Sequence, residues 1–146
     1  MKFICDKRVR FQHCDPAGIV FYPQFYVLLH EVQEDFLAHI GFPEHGLIQA
    51  GMGLPIVDMK TEFLGMCRHG DALTFTLTLT RIGNASLGMH YEIHAPAQTP
   101  GGLPAIKLRA DGVVVHSTVP QGRPVRIPDD LRSALSPYLH TSTETP

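Results

Sequence analysis

The chain has no tryptophan and only three cysteines in its 146 residues. Cys5, Cys14 and Cys67 stand far apart, with no Cys-x-x-Cys pair, so neither a disulfide framework nor a cysteine zinc site is indicated. No stretch approaches the roughly 20 apolar residues of a membrane-spanning helix, and Met-Lys-Phe-Ile-Cys-Asp at the N-terminus lacks the apolar core of a signal peptide. A cytoplasmic location is the expectation. Neither sign of charge dominates: 12 Lys and Arg against 14 Asp and Glu give a formal net charge of −2. That balance offers no general attraction to nucleic acid or to an anionic membrane surface. The nine histidines form no His-Glu-x-x-His motif or compact ligand set along the sequence, so no metal is expected. His13 and Asp15, two residues apart, have no further obvious ligand beside them.

What remains is the composition of a globular domain, 44% hydrophobic and 18% charged. The length suits one domain with a sizeable core, read here as residues 1–140 followed by a frayed Thr/Ser/Pro-rich tail over 141–146. Phe3 to Gln12 reads as a strand. From Pro23, apolar residues at Phe25, Leu29, Val32, Phe36 and Ile40 recur every three or four positions, the stripe of an amphipathic helix, with Gln24, Glu31, Gln33, Glu34 and Asp35 mostly on its other faces. Pro23 suits its first turn, and Gly41 with Pro43 suits its end.

Residues 42–53 form a connector with room for a short helix, and Leu54 to Leu64 reads as a strand. Leu73 to Thr80 alternates apolar and threonine residues without a break, the clearest period-two segment in the chain. Leu87, Met89, Tyr91 and Ile93 continue the pattern after Gly83-Asn84, which predicts a hairpin. Ile106 to Val119 reads as a last long strand, bent or bulged near Gly112, and Asp129-Asp130 opens a short C-terminal helix. One long helix followed by strands without further long helices is an α+β pattern.

The segment with the most chemistry is His13-Cys14-Asp15-Pro16-Ala17-Gly18-Ile19-Val20-Phe21-Tyr22-Pro23. It sets a carboxylate in a glycine-containing loop just before a helix start, whose first N–H groups have no intrahelical partner. A base or nucleophile can thus sit near donors for an oxyanion, as acyl transfer requires. The same residues also make an ordinary Asp-Pro turn.

Cys14–Pro23 as a run, together with Gly53-Leu54-Pro55-Ile56-Val57 and Arg81-Ile82-Gly83-Asn84-Ala85-Ser86-Leu87, resembles the 4-hydroxybenzoyl-CoA thioesterase family of hotdog-fold enzymes. The resemblance runs from about Phe3 to Leu131. It implies a curved five-stranded antiparallel sheet wrapped around one long helix, and subunits paired as a dimer or tetramer. It also implies hydrolysis of an acyl-CoA, aromatic or of short to medium chain, with no cofactor beyond the CoA of the substrate. Asp15 is then the nucleophile or general base, and the backbone N–H of Tyr22 polarises the thioester carbonyl. His13 and Gly18 are read as orienting or loop residues.

Phe21, His30, Pro55, Met59, Arg81 and Ser86 are read as substrate-binding. The chain departs from the family pattern in two places: His30 lies near where an acid is expected, and Gly83-Asn84-Ala85 replaces a basic cluster, leaving Arg81 as the nearest cation. Two other activities fit the same fold, a hydratase or dehydratase of enoyl or hydroxyacyl thioesters and a non-catalytic acyl-thioester binding protein.

Overall fold

The computed structural model describes residues 1–140, and the expected tail at 141–146 lies outside them. The element order is β1 (Phe3–Arg8), α1 (Tyr22–His39), α2 (Glu44–Gln49), β2 (Met52–Gly53), β3 (Ile56–Phe63), β4 (Ala72–Ile82), β5 (Ser86–Ala95), β6 (Ala105–Val115), β7 (Ser117–Thr118) and α3 (Asp129–Leu135). Five strands form one antiparallel sheet in the order β1-β4-β5-β6-β3, and β2 pairs with β7 apart from it.

The alternation expected in β4 is the core-facing pattern, since Leu73, Phe75, Leu77 and Leu79 are all buried. Leu87, Met89, Tyr91 and Ile93 of β5 do the same across the hairpin. Against them packs the stripe of α1, formed by Phe25, Leu28, Leu29, Val32, Phe36 and Leu37. Phe36 is fully buried and meets Phe3 and Tyr138 edge-on or tilted. Truncating such a residue to alanine costs about 3–5 kcal/mol, a large share of the stability of one domain.

Five readings need correction. The first strand ends at Arg8 rather than Gln12, because Phe11–His13 wind into a 3-10 turn that redirects the chain. The long helix begins at Tyr22, one residue before Pro23, which occupies its first turn. Gln33 belongs to the buried face of α1, where its Oε1 accepts a 3.4 Å hydrogen bond from the Tyr91 hydroxyl. Gly112 pairs regularly with Met89 and Met59, whereas the irregularity in β6 falls at Lys107, between the Leu108 and Ile106 pairings with β5. The expected last strand also divides: β6 stops at Val115, and Ser117–Thr118 leave the sheet to pair with β2.

Further register shifts fall at Val57 in β3 and Thr80 in β4. Each adds local twist and bend to the sheet. The strand order leaves β1 and β3 as edges. β3 is the more apolar and exposed of the two, with Ile56, Val57 and Phe63 each more than two-fifths accessible.

Candidate active site

The loop after the Phe11–His13 turn folds back on itself. Asp15 N–H donates to Ile19 O at 3.0 Å, Cys14 bridges Val20, and Phe21 N–H donates to His13 O at 2.9 Å. Between the two arms, Gly18 N–H closes a turn onto Asp15 O at 2.9 Å. Gly18 sits at φ +79°, in the left-handed region that disfavours a side chain. Val20 N–H donates to Cys67 O and Ile19 bridges Arg68, so the loop is fastened to the segment that enters β4.

This lacing holds the Asp15 carboxylate half-buried at the edge of a cleft of about 430 Å³, lined by Phe11, Cys14, Asp15, Pro16, Gly18 and His69. Its Oδ1 accepts the Ala17 N–H at 2.9 Å, the ordinary turn bond anticipated for Asp-Pro. Oδ2 has no hydrogen-bond partner among the described residues. The loop therefore fixes the carboxylate with one oxygen and leaves the other available.

Tyr22 opens α1, with Phe21 as a residue of extended backbone before it and no side chain capping the helix. The Tyr22 N–H has no partner among the described residues, as the first turn of a helix dictates. Its phenol is exposed, and its ring stands 5.4 Å from that of Phe21 and 6.4 Å from that of Phe63. His13 is buried beneath this unit, and its Nδ1 accepts the Arg10 N–H at 2.9 Å. Burial holds the imidazole below its usual titration range, assisted by the nearby Arg10 and Lys7 and opposed by Glu31. His13 thus braces the turn that leads into the loop and makes no bond to Asp15.

The remaining site residues of the sequence reading lie elsewhere. β1 pairs Arg8 with Ala72, so the Asp15 loop sits at the Ala72 end of β4, and Arg81 at its other end is nine residues, or roughly 30 Å of strand, away. There the Arg81 guanidinium donates to Ser86 Oγ at 2.7 Å across the hairpin turn. His30 lies eight residues along α1 from Tyr22, about 12 Å of helix. It shares a cleft of about 320 Å³ with Glu44, Ile48, Gly53, Leu54, Pro55, Ile56 and Val119. Met59 lies midway along β3, against Gly112.

One chain thus gathers His13, Asp15, Gly18, Phe21 and Tyr22 at one end, and His30, Pro55, Arg81 and Ser86 at the other. The sequence reading missed Phe11 and His69 beside Asp15, and Glu44 beside His30. The pairings of Ile19 with Arg68 and of Val20 with Cys67 place His69 there, its ring 6.1 Å from that of Phe11, and no local spacing announces that contact.

Residues 9–135 match the model of the Thioesterase-like superfamily, nearly the whole described chain. The chain belongs to that superfamily. It is 28% identical over 115 residues to 4-hydroxybenzoyl-CoA thioesterase of a Pseudomonas species, covering 77% of this chain and 80% of that protein. It is 29% identical over 92 residues to 1,4-dihydroxy-2-naphthoyl-CoA hydrolase of Synechocystis, covering 62% of this chain and 67% of the relative. A 1,4-dihydroxy-2-naphthoyl-CoA thioesterase structure from Synechocystis superposes with a TM-score of 0.82 at 23% identity, over 100% of both chains. The expected hotdog fold is the observed one, and membership of the Thioesterase-like superfamily makes thioester hydrolysis the reaction class. No helix among the described residues is long and apolar enough to cross a membrane.

Proposed function

We propose that the protein hydrolyses an acyl-CoA to the free acid and CoA, with Asp15 attacking the thioester carbonyl or activating the water that does. The observation that carries this reading is the unpartnered Asp15 Oδ2, held at a cleft by a laced loop. As negative charge develops on the carbonyl oxygen, the Tyr22 N–H is the donor assigned to it, aided by the positive end of α1. No metal or redox cofactor takes part in these steps. The two relatives act, by name, on aromatic acyl-CoA thioesters, which makes an aromatic acyl group the first substrate class to test.

The separation of the site residues within one chain supports a shared site. If the exposed edge β3 pairs antiparallel with its copy about a two-fold axis near Met59, Phe63 of one protomer approaches the partner's Ile56. α1 follows β3, since Tyr22, Phe25 and Tyr26 ring Phe63 at 5.9–6.4 Å while His30 reaches the Pro55–Ile56 cleft. The pairing therefore carries the Asp15–Tyr22 end of one protomer toward the partner's His30, Pro55 and Ser86. It also covers Ile56 and Val57, an apolar edge otherwise open to water. A dimer is the minimum active unit on this reading, a tetramer being two such pairs, and the cytoplasm the compartment where CoA esters meet it.

A panel of aromatic and aliphatic acyl-CoAs, followed with a thiol-reactive dye, tests the activity. Hydrolysis releases free CoA, which hydration or dehydration of the acyl chain does not. No dye signal with any thioester, or an equal signal from Asp15→Asn, would remove the assignment.

A further inference from the structure

The Asp15 cleft has a second wall that the proposed hydrolysis leaves without a task, the turn at residues 68–71 that carries His69. The backbone of this turn is firmly fastened. Asp71 N–H donates to Arg68 O at 3.1 Å and Arg68 N–H to Asp71 Oδ2 at 2.8 Å, while Gly70 N–H reaches Val9 O and the Arg8 guanidinium reaches Gly70 O, both at 2.9 Å. Alongside, Val20 N–H donates to Cys67 O and Ile19 bridges Arg68, and the same antiparallel register sets Gly18 opposite His69. Gly18 offers no side chain, and nothing lies within 4 Å of a Cβ built on it. The space above it is therefore open between the Asp15 carboxylate and the His69 imidazole, which line the same cleft.

His69 is exposed, and neither of its ring nitrogens has a hydrogen-bond or ion-pair partner among the described residues. The charged and titratable groups around it are engaged elsewhere: Asp71 Oδ2 by the Arg68 N–H, the Arg8 guanidinium by Gly70 O, and Cys14 Sγ by Arg10 O at 3.6 Å. Arg68 is exposed on the turn itself. A fixed turn thus presents a free imidazole to the cleft in which Asp15 keeps a free carboxylate oxygen. Hydrolysis through an acyl-enzyme uses two different groups. The nucleophile must be anionic, whereas the water that clears the intermediate must lose a proton to a base, and a base serves best when it titrates near the working pH. Imidazoles change charge between about pH 5 and 8, and carboxylates ordinarily below that range.

We propose that His69 is the general base for the second step, activating the water that hydrolyses an acyl–Asp15 anhydride. This role rests on the proposed attack by Asp15: a carboxylate oxygen bonds to the thioester carbonyl carbon, the C–S bond breaks, and its electron pair leaves on the CoA sulfur. Neutral His69 then takes a proton from water as the water oxygen bonds to the acyl carbon. The bond from that carbon to the Asp15 oxygen breaks, and its pair returns to the carboxylate. The released acid ionises, and the imidazolium passes its proton to the thiolate. Each cycle consumes one water and restores both side chains.

Rapid mixing of His69→Gln with an acyl-CoA that the wild type hydrolyses, followed with a thiol-reactive dye, tests this role. The variant should keep the wild-type unfolding temperature, release about one CoA per site in a burst, and then turn over about tenfold or more slowly. Acid-quenched samples should carry the mass of the acyl group on the chain. The fall in wild-type kcat from about pH 8 to pH 5 should be absent from the variant. A merely structural role for His69 would produce neither the burst nor the loss of that acid limb. Wild-type kcat in His69→Gln, a slower rate without a burst, or an acid limb that persists and so belongs to His13 beneath the loop would each overturn the role of His69 while leaving that of Asp15 intact. Equal turnover by Asp15→Asn and the wild type would remove both.

Discussion

The two ends of α1 handle polar groups in opposite ways. At the Tyr22 end, backbone hydrogen bonds hold the loop while the groups suited to chemistry, Asp15 Oδ2 and the Tyr22 N–H, are left without partners among the described residues. At the His30 end, three charged or ionisable side chains are turned on one another in front of an apolar wall. An unpaired polar group that is partly desolvated raises the free energy of the resting protein, and such groups persist where substrate or a reacting atom completes them. A self-paired cluster beside an apolar cleft has the composition of a recognition or structural site instead. Neither end alone contains both the reacting group and a walled acyl site. The paired edge proposed at β3 resolves this by joining one end of each protomer to the other end of its neighbour.

Asp15→Asn should have the largest effect. The amide keeps an oxygen to accept the Ala17 N–H, so the loop should retain its shape, while nucleophile and base are both lost. A fall in kcat of about a hundredfold or more is expected, with an unchanged unfolding temperature. Turnover near wild type in the purified variant would show that the unpaired oxygen at this end is idle.

The next effect tests whether the ends meet across two chains. Val57 is 61% exposed at the bulge of β3, so lysine there should leave the isolated fold intact. The cost of burying a charge in that apolar edge should convert the dimer to monomer in light scattering, and activity should fall with the dimer fraction by about tenfold or more. A monomer of full activity would confine the whole site to one chain.

The sequence made some of this comparison legible and hid the rest. The α1 stripe and the β4 alternation could be read because periodicity records which face is buried, and Phe25, Val32, Phe36, Leu73, Phe75 and Leu77 all conform. Asp15, Gly18 and Tyr22 were legible as a unit because a turn and a helix start are local events within eight residues. His30, Glu34 and Glu44 were not, since Glu44 reaches its partners only after the chain reverses through Gly41–Pro43. Nor does spacing along the chain state that Arg81 and Asp15 occupy opposite ends of one sheet. Gln33 was misplaced for a different reason: a polar residue on a buried face carries no hydrophobic signal, and only the Tyr91 hydroxyl explains it.

A smaller effect distinguishes how the two ends use glycine. At Gly18 nothing lies within 4 Å of an added Cβ, so the obstacle is the φ of +79° alone. At Gly53, in the far cleft, an added Cβ would meet Val119 Cγ1 at 3.0 Å, so the obstacle there is steric. Gly18→Ala should therefore cost about 1–2 kcal/mol in denaturant titration. Gly18→Asn should cost less, because asparagine tolerates the left-handed region better. Equal losses for the two variants would point to an obstacle other than backbone conformation.

The smallest expected effect is a difference in how the ends respond to acid. His13 is held below its ordinary value of 6.5 by burial, so the contribution of its neutral ring is complete above pH 6.5 and is lost as the pH falls through the lowered folded value. Protonation of Nδ1 removes the acceptor for the Arg10 N–H, and the turn beneath the Asp15 loop should loosen. Glu44 behaves in the reverse sense. Its folded value is raised above 4.5, chiefly by burial, so its contribution is complete below 4.5 and fades as the pH rises through the raised value. Amide exchange corrected for its intrinsic pH dependence should show Arg10 losing protection between neutral and mildly acidic pH. The Val115 N–H, bonded to Pro55 O at 3.1 Å beside the far cleft, should keep its protection over the same interval. Parallel loss at both amides would indicate global unfolding, and acid would then fail to separate the two ends.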